Sequence, residues 1–352
     1  MHFAFTDEQL ELQRVVRELL ARECPPARVR AAWDGADDAP LAVWPQLAGV
    51  GVVGMTAPER FGGLGMDELD LALVLEESGR AALPEPLIEH TAVAVPLVAE
   101  TADDAFCDRW LGAAAAGKAT LAVGLGGAPF VTGAARARLL VLEHARGDDV
   151  ELHAVETSAV TLVPQRSVDG TRKLARVEWR PGAGTCLARG ERAREALARA
   201  FDRGAFATAA ELIGVARRLV EMTVAYVKLR TQFGKAVGSF QAVKHMLAEA
   251  HVAIELARPC VHRAAYALAR REPAGERAIH VSMAKAYASD AATRAARAAL
   301  QCHGAIGYSY EYDLHLWMKR AWVQAAAYGD AAWHRARIAT AVLGGEEGAS
   351  RG

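Results

Sequence analysis

The hydrophobic period of this chain changes twice, and that limits what it can fold into. Up to about residue 117 apolar residues recur every three to four positions. From Lys118 to about residue 183 they alternate, or run in short β-branched blocks cut by Gly, Asp and Pro. From Glu191 the helical spacing returns. A spacing of three and four buries one face of a helix, and alternation buries one face of a strand. The expected fold is therefore mainly α with a β middle domain. It has an N-terminal helical domain (1–117), a small β-barrel or sandwich (118–190) and a C-terminal four-helix bundle (191–352).

Local signals place the elements. Thr6 with Gln9 three residues on is a capping box. Asp7 and Glu8 fill the first turn of a helix that runs to about Glu23 and is ended by Pro25-Pro26. "PERFGGLGM" (58–66) is a loop, "DELDLALVLEESGRAAL" a helix closed before Pro84, and "ALPEP" an extended connector. "IEHTAVAVPLVAE" and "DDAFCDRWLGAAAAG" complete the helical first third. Five runs ("TLAVGL", "ARLLVLEHA", "DVELHAV", "AVTLVPQR", "KLARVEWRP") read as strands, with a hairpin turn at Gly147-Asp148-Asp149.

Two long helices follow. Leu212, Val215, Leu219, Met222, Tyr226 and Leu229 form the seam of the first. The seam of the second runs from Phe240 through Leu247, Ile254 and Val261 to Leu268, with a kink expected at Pro259. An Ala-rich third helix ("ERAIHVSMAKAYASDAATRAARAALQ") and one or two more complete the bundle.

Composition excludes several function classes. Net charge is −1, with 52% hydrophobic and 24% charged residues, so nothing marks a nucleic-acid partner. No run of 18 apolar residues predicts a membrane span. "MHFAFTDEQ" carries no secretory pattern, and five scattered cysteines without a Cys-x-x-Cys argue against a disulfide framework or structural zinc. The expected location is the cytoplasm.

The Gly-rich "VGLGGAPFVTGAA" follows a strand, but no helix opens on its glycines, so it reads as a turn cluster and not a dinucleotide loop. His245 and His251 lie six apart, on different faces of a helix, and cannot share a metal. No nucleophile-elbow motif is present.

Two stretches remain unexplained by packing. "RTQFGKAVGSFQAVKH" (230–245) interrupts the two long helices. Arg230 suits a helix C-terminus and Gly234 could be its breaker, yet Gln232 and Gln241 serve no purpose in a plain turn. "LQCHGAIGYSYEYDLHLWMKR" (300–320) ends an Ala-rich helix on Gln301 and exposes backbone through Gly304 and Gly307, as suits either an anion or a simple Gly-stopped helix.

At these two stretches the sequence resembles the acyl-CoA dehydrogenase family. The first matches its Arg-x-x-Phe-Gly…Phe-Gln-x-x-x-His pattern and the second its Gln-x-x-Gly-Gly-x-Gly segment. "FTDEQLELQRVVRELL", "PERFGGLGMDELDLALVLEESGR" and "DGTRKLARVEW" are similar to its earlier domains. The resemblance implies flavin adenine dinucleotide (FAD) held across a subunit interface. Arg230 would pair with the pyrophosphate, and Phe233 and Gln241 would line the same cofactor. Gln301 and Gly304 would hold the pyrophosphate and adenosine end of a neighbouring copy.

The implied reaction is α,β-dehydrogenation of an acyl-CoA thioester. The implied assembly is a homodimer or tetramer, or a heteromer with a related chain, with an electron-transfer flavoprotein as acceptor.

The family's usual base, the Glu of a Tyr-Glu-Gly-Thr stretch, is absent. The matching stretch is "AAYGDAAWHR", where Tyr328 stands for the Glu and Asp330 for the Thr, leaving these two as candidate bases. The alternative site for a family base falls near Gly204, with Asp202 two residues away. "AVGLGGAPFVTG" also replaces the family's flavin-edge motif, and Ala305 replaces a Gly. Three readings follow: a dehydrogenase with a displaced base, the non-catalytic partner of a heteromeric acyl-CoA dehydrogenase, or a cofactor-free helical scaffold.

Overall fold

The computed structural model describes residues 4–36, 38–147 and 149–344. They form two compact units. A helical unit gathers the described residues of Met1–Ala21, Ala72–Leu83 and Ala205–Gly352. A mixed unit gathers those of Arg22–Leu71 and Pro84–Gly204.

Helices lead. α1 (Asp7–Glu23) starts at the expected capping box: Thr6 N–H donates to Gln9 Oε1 at 3.0 Å, and Gln9 N–H donates to Thr6 Oγ1 at 3.3 Å. Pro26 does more than stop this helix. It opens α2 (Pro26–Asp34), where a missing N–H costs nothing. α3 (Trp44–Gly49), α4 (Glu68–Ala81), α5 (Val95–Thr101) and α6 (Asp104–Ala115) follow. Ile88–Ala94, expected as ordinary helix, is π-helical, and Val95 N–H reaches back five residues to His90 O. Pro96 supplies the reason, since it has no N–H for the ladder at the junction.

The β region holds the five expected strands and two more. β1 (Leu121–Gly124), β3 (Leu139–Arg146), β4 (Asp149–Glu156) and β7 (Cys186–Arg189) form one sheet in the order β1-β3-β4-β7. β2 (Val131–Thr132), β6 (Leu174–Glu178) and β5 (Thr161–Gln165) form the other, in the order β2-β6-β5. β2 and β7 are too short to show a period of their own. β3 and β4 pair as a hairpin from Leu139↔Glu156 to Arg146↔Asp149; Asp148 of the expected turn lies outside the described residues. Leu140, Leu142 and Val155 of one sheet pack with Val131 and Ala175 of the other, and Leu162, Val177 and Trp179 close the core. The glycines after β1 lead through an exposed turn into β2, with no α-helix on them.

α7 (Gly190–Leu229) is followed by a small hairpin, β8 (Thr231–Gln232) and β9 (Lys235–Ala236). Then come α8 (Gln241–Ala269), α9 (Ala274–His303), α10 (Leu314–Ala326) and α11 (Ala331–Leu343). In the helical unit α9 packs on α8, α10 and α11. The α8 seam is buried from Leu247 to Leu268, and the helix runs on through Pro259.

The α7 seam needs correcting. Leu212, Val215 and Leu219 are buried, but Met222 and Tyr226 are half-buried and Leu229 is 84% exposed. Thr223 and Val227 take over the buried line. A straight helix drifts off a strict seven-residue repeat, so its last turns rotate the expected residues outward.

Candidate functional site

The bend after α7 is a strand hairpin. Arg230 N–H donates to Tyr226 O at 2.9 Å, and Val237 N–H donates to Arg230 O at 2.7 Å. Gln232 pairs with Lys235 across a two-residue turn, where Phe233 (φ 52°) and Gly234 (φ 77°) are both left-handed. Two such residues in a row match the twist of a hairpin. Gly234 is thus a hairpin residue and not the helix breaker the sequence suggested. Phe233 is a less favoured occupant of that conformation, and it is 89% exposed. Its ring meets only the edge of Phe240, at 6.1 Å, while Lys235 Nζ covers Phe240 at 4.4 Å. Gln241 opens α8 and touches His245 at 3.4 Å. Arg230 is exposed and forms no ion pair among the described residues.

The second stretch lies at the far end of α9. Gln301 is exposed and lines a groove of about 590 Å³ with Met246, Asp290, Arg294 and Arg297. Gly304 ends the helix at φ 63°, ψ −139°, a conformation open only to glycine, and a side chain there would meet no neighbour. A short 3₁₀ turn, Gly304–Tyr308, follows.

His303 anchors this end. Its ring stacks on Tyr226 at 4.3 Å and lies 5.2 Å from Tyr312, and its Nδ1–H donates to Ala299 O at 2.8 Å. Burial lowers its pKa. Tyr226 and Tyr312 also line a second groove, of about 510 Å³, with Arg218, Met222 and Arg230. Within one chain, Arg230 and Gln301 therefore line different grooves.

The third element is the turn between α10 and α11. Tyr328 (φ 53°) and Gly329 (φ 87°) are left-handed in succession. Asp330 Oδ1 accepts from Trp333 N–H at 2.8 Å, so this carboxylate is the N-cap of α11 and is exposed.

From α9, Lys285 Nζ donates to Ala325 O at 3.0 Å, Gly329 O at 2.9 Å and Ser289 Oγ at 3.1 Å. From α11, His334 Nε2–H donates to Tyr328 O at 2.8 Å. A carbonyl can only accept, so in the neutral ring Nδ1 is the bare nitrogen and takes a bond from Ser282 Oγ at 3.0 Å. Lys285, Ser282 and His334 are all fully buried. Burial pushes the Lys285 amine down to about 7, with the Asp330 carboxylate pulling the other way.

Sequence reasoning missed Lys285, His334 and the Tyr226–His303–Tyr312 group. For Lys285 a signal existed: it falls four residues after Val281, on the buried face of an Ala-rich helix. Asp202, weighed beside Gly204, is wholly buried in the mixed unit. No group of three or more possible metal ligands occurs among the described residues, and the cysteines are free.

Comparison with known proteins supplies the family. Residues 6–118 match the acyl-CoA dehydrogenase N-terminal domain, and residues 194–343 the acyl-CoA dehydrogenase C-terminal domain. The acyl-CoA dehydrogenase IpdE2 of Mycobacterium tuberculosis is 33% identical over 323 residues, covering 90% of this chain and 91% of that protein.

Two solved structures share the fold. The Tcur3481-Tcur3483 steroid ACAD variant has a TM-score of 0.86 and 24% identity, over 96% of this chain and 98% of that one. A glutaryl-CoA dehydrogenase of Mycobacterium smegmatis in complex with FADH2 has a TM-score of 0.85 and 17% identity, over 97% and 95%. With the helical–β–helical order, these likenesses lead to one conclusion: the chain belongs to the acyl-CoA dehydrogenase family of flavin oxidoreductases.

Proposed function

We propose that this chain binds FAD between two protomers and serves the α,β-dehydrogenation of an acyl-CoA thioester. The observation that carries this reading is the hairpin at 230–241. A guanidinium without an ion pair among the described residues, an 89% exposed phenyl ring in a left-handed conformation and, at the start of α8, an exposed carboxamide stand close together, and their contacts within the chain are few: Phe233 meets the edge of Phe240 and Gln241 touches His245. Arg230 suits a pyrophosphate, Phe233 offers an apolar face to a ring system, and Gln241 can both donate and accept.

Gln301, beside Arg294 and Arg297, and the open backbone at Gly304 suit the nucleotide end of a second cofactor. Since Arg230 and Gln301 line separate grooves, one chain alone would complete neither cofactor site. This supports an assembly of at least two chains.

When bound, the flavin would supply a hydride acceptor for the β hydrogen. Removing the α proton, which is too weakly acidic for an unassisted carboxylate, needs a base; this chain offers two groups. Its candidates are Tyr328 and Asp330. Asp330 is already engaged at the helix cap, and this favours the second reading, that the base comes from a related partner chain. The steroid ACAD named above is named for two components, Tcur3481 and Tcur3483, and another neighbour is the ChsE4-ChsE5 complex of Mycobacterium tuberculosis. An electron-transfer flavoprotein is the proposed acceptor. The free cysteines support a reducing, cytoplasmic setting, and no described helix is long and apolar enough to cross a membrane.

The test is purification from the native host, with FAD counted per chain and co-purifying chains identified, then anaerobic mixing with a panel of acyl-CoA esters. A coloured protein bleached by one ester supports the dehydrogenase. Bleaching only in the presence of a related second chain supports the partner reading. A colourless protein that takes up no FAD, alone or with its partner, leaves only the helical scaffold. Asp330→Asn separates cap from base, because Asn caps helices as well as Asp does. If turnover survives this change, Asp330 is not the base.

A further inference from the structure

We propose that Lys285 is a positioning residue. With Ser289 and His334 it fixes the Ala325–Asp330 turn in the single backbone conformation that presents Tyr328 and Asp330 to the thioester. This rests on the proposed function, in its form where Tyr328 and Asp330 are this chain's own candidate bases.

The argument starts from cost. A lysine side chain with no exposure, on the Ala-rich face of α9 beside Val281, Ala284 and Ala288, gives up its hydration entirely. An apolar side chain would fill the same space without that loss. What the amine gains is three oxygens at 2.9 to 3.1 Å. Ala325 O belongs to the last turn of α10, whose carbonyls have no partner within the helix. Gly329 O belongs to the turn itself. Between them, Tyr328 O is held by His334 at 2.8 Å.

An ordinary helix–helix turn leaves such carbonyls to water. Here those of residues 325, 328 and 329 accept from side chains of α9 and α11, across a segment where Tyr328 stays left-handed. A non-glycine residue in that conformation is disfavoured, and these contacts on both sides of Tyr328 offset its cost. Residues held in this way by a second layer of hydrogen bonds are how a site keeps its reacting groups in place. Burial pushes the amine down to about 7, the cost in hydration that the three oxygens only partly offset.

The test uses the flavin-loaded assembly as purified. Lys285→Met keeps the length and removes every donor. Hydrogen exchange at the bonded amides on either side of the turn, those of Ala327, Trp333 and His334, is expected to rise about tenfold or more, while the interior of α9 is unchanged. Turnover of the accepted acyl-CoA should fall by about tenfold or more, with KM and FAD content within about twofold of wild type. His334→Leu should repeat both effects, and His334→Gln, which returns a donor to Tyr328 O, should restore most of the lost kcat.

Unchanged exchange in Lys285→Met overturns the proposal. So does raised exchange with unaltered kcat, because the contacts would then be structural only. If wild type proves inactive toward every ester, with and without its partner, the reading of the reaction fails. The positioning role fails with it, even where the exchange result shows Lys285 holding the turn.

Discussion

Two bends of the helical unit, each joining long helices, solve opposite problems. At 230–241 the backbone satisfies itself through hairpin pairing, and the side chains of Arg230, Phe233 and Gln241 are left outside. At 325–330 the backbone does not satisfy itself. Three of its carbonyls are held by the buried Lys285 and His334. In the first bend the cost lies in exposed apolar surface and in a phenylalanine at φ 52°. In the second it lies in the desolvation of an amine. Side chains left outside are available to another molecule, whereas groups enclosed in this way serve the chain's own geometry. Changes in the first bend should therefore show in binding, and changes in the second in stability and, through the turn it holds, in turnover.

The largest expected effect sharpens the contrast by pH. The folded Lys285 pKa, about 7, lies below its ordinary 10.5, so the unfolded chain holds more protons between those values. Its contribution to stability is fully present above pH 10.5 and is lost as pH falls toward 7. The limit is about 4 to 5 kcal/mol. Urea unfolding at several pH values should show wild type gaining on Lys285→Met as pH rises through this window. Parallel curves would break the comparison at its buried side.

His334→Ala comes next. It removes the His334 bonds to Tyr328 O and Ser282 Oγ in a buried site, Ser282 keeping Arg337 at 3.5 Å, and should cost about 2 kcal/mol of unfolding free energy, with or without added FAD. Arg230→Ala is the counterpart at the open bend. Loss of a charge-assisted contact should weaken FAD binding by roughly ten- to a hundredfold, read by equilibrium dialysis, with no change in the melting of the cofactor-free protein. If that melting temperature falls instead, Arg230 is a structural residue and the comparison fails at its exposed side. The smallest effect is at the helix cap: Asp330→Ala should cost about 1 kcal/mol, while Asp330→Asn should cost close to nothing.

Much of the open bend could be read along the chain. Arg230, Phe233 and Gln241 stand within twelve residues, and their types are out of place for a turn between apolar seams. The hairpin itself was not legible, because two-residue strands carry no period, and Gly234 fits a helix stop as well as a hairpin. The buried bend was hidden for a different reason. Two of the three oxygens that hold Lys285 belong to residues 40 and 44 positions later, and they are backbone atoms whose identity no sequence records. Asp330 illustrates the same difficulty: as a bare carboxylate it was a candidate base, and folding engages it as a cap.

The sequence by itself determined the succession of helical, β and helical segments, the capping box at Thr6 and the burial of the α8 seam from Leu247 onward, because each depends on neighbours within a few residues. Only the tertiary structure decided where the α7 seam turns away from Leu229, that Ile88–Ala94 winds as a π-helix, and that a lysine in an alanine-rich helix should be buried. Those outcomes depend on how helices cross and on which distant carbonyls lack a donor, and a one-dimensional pattern carries no information about either.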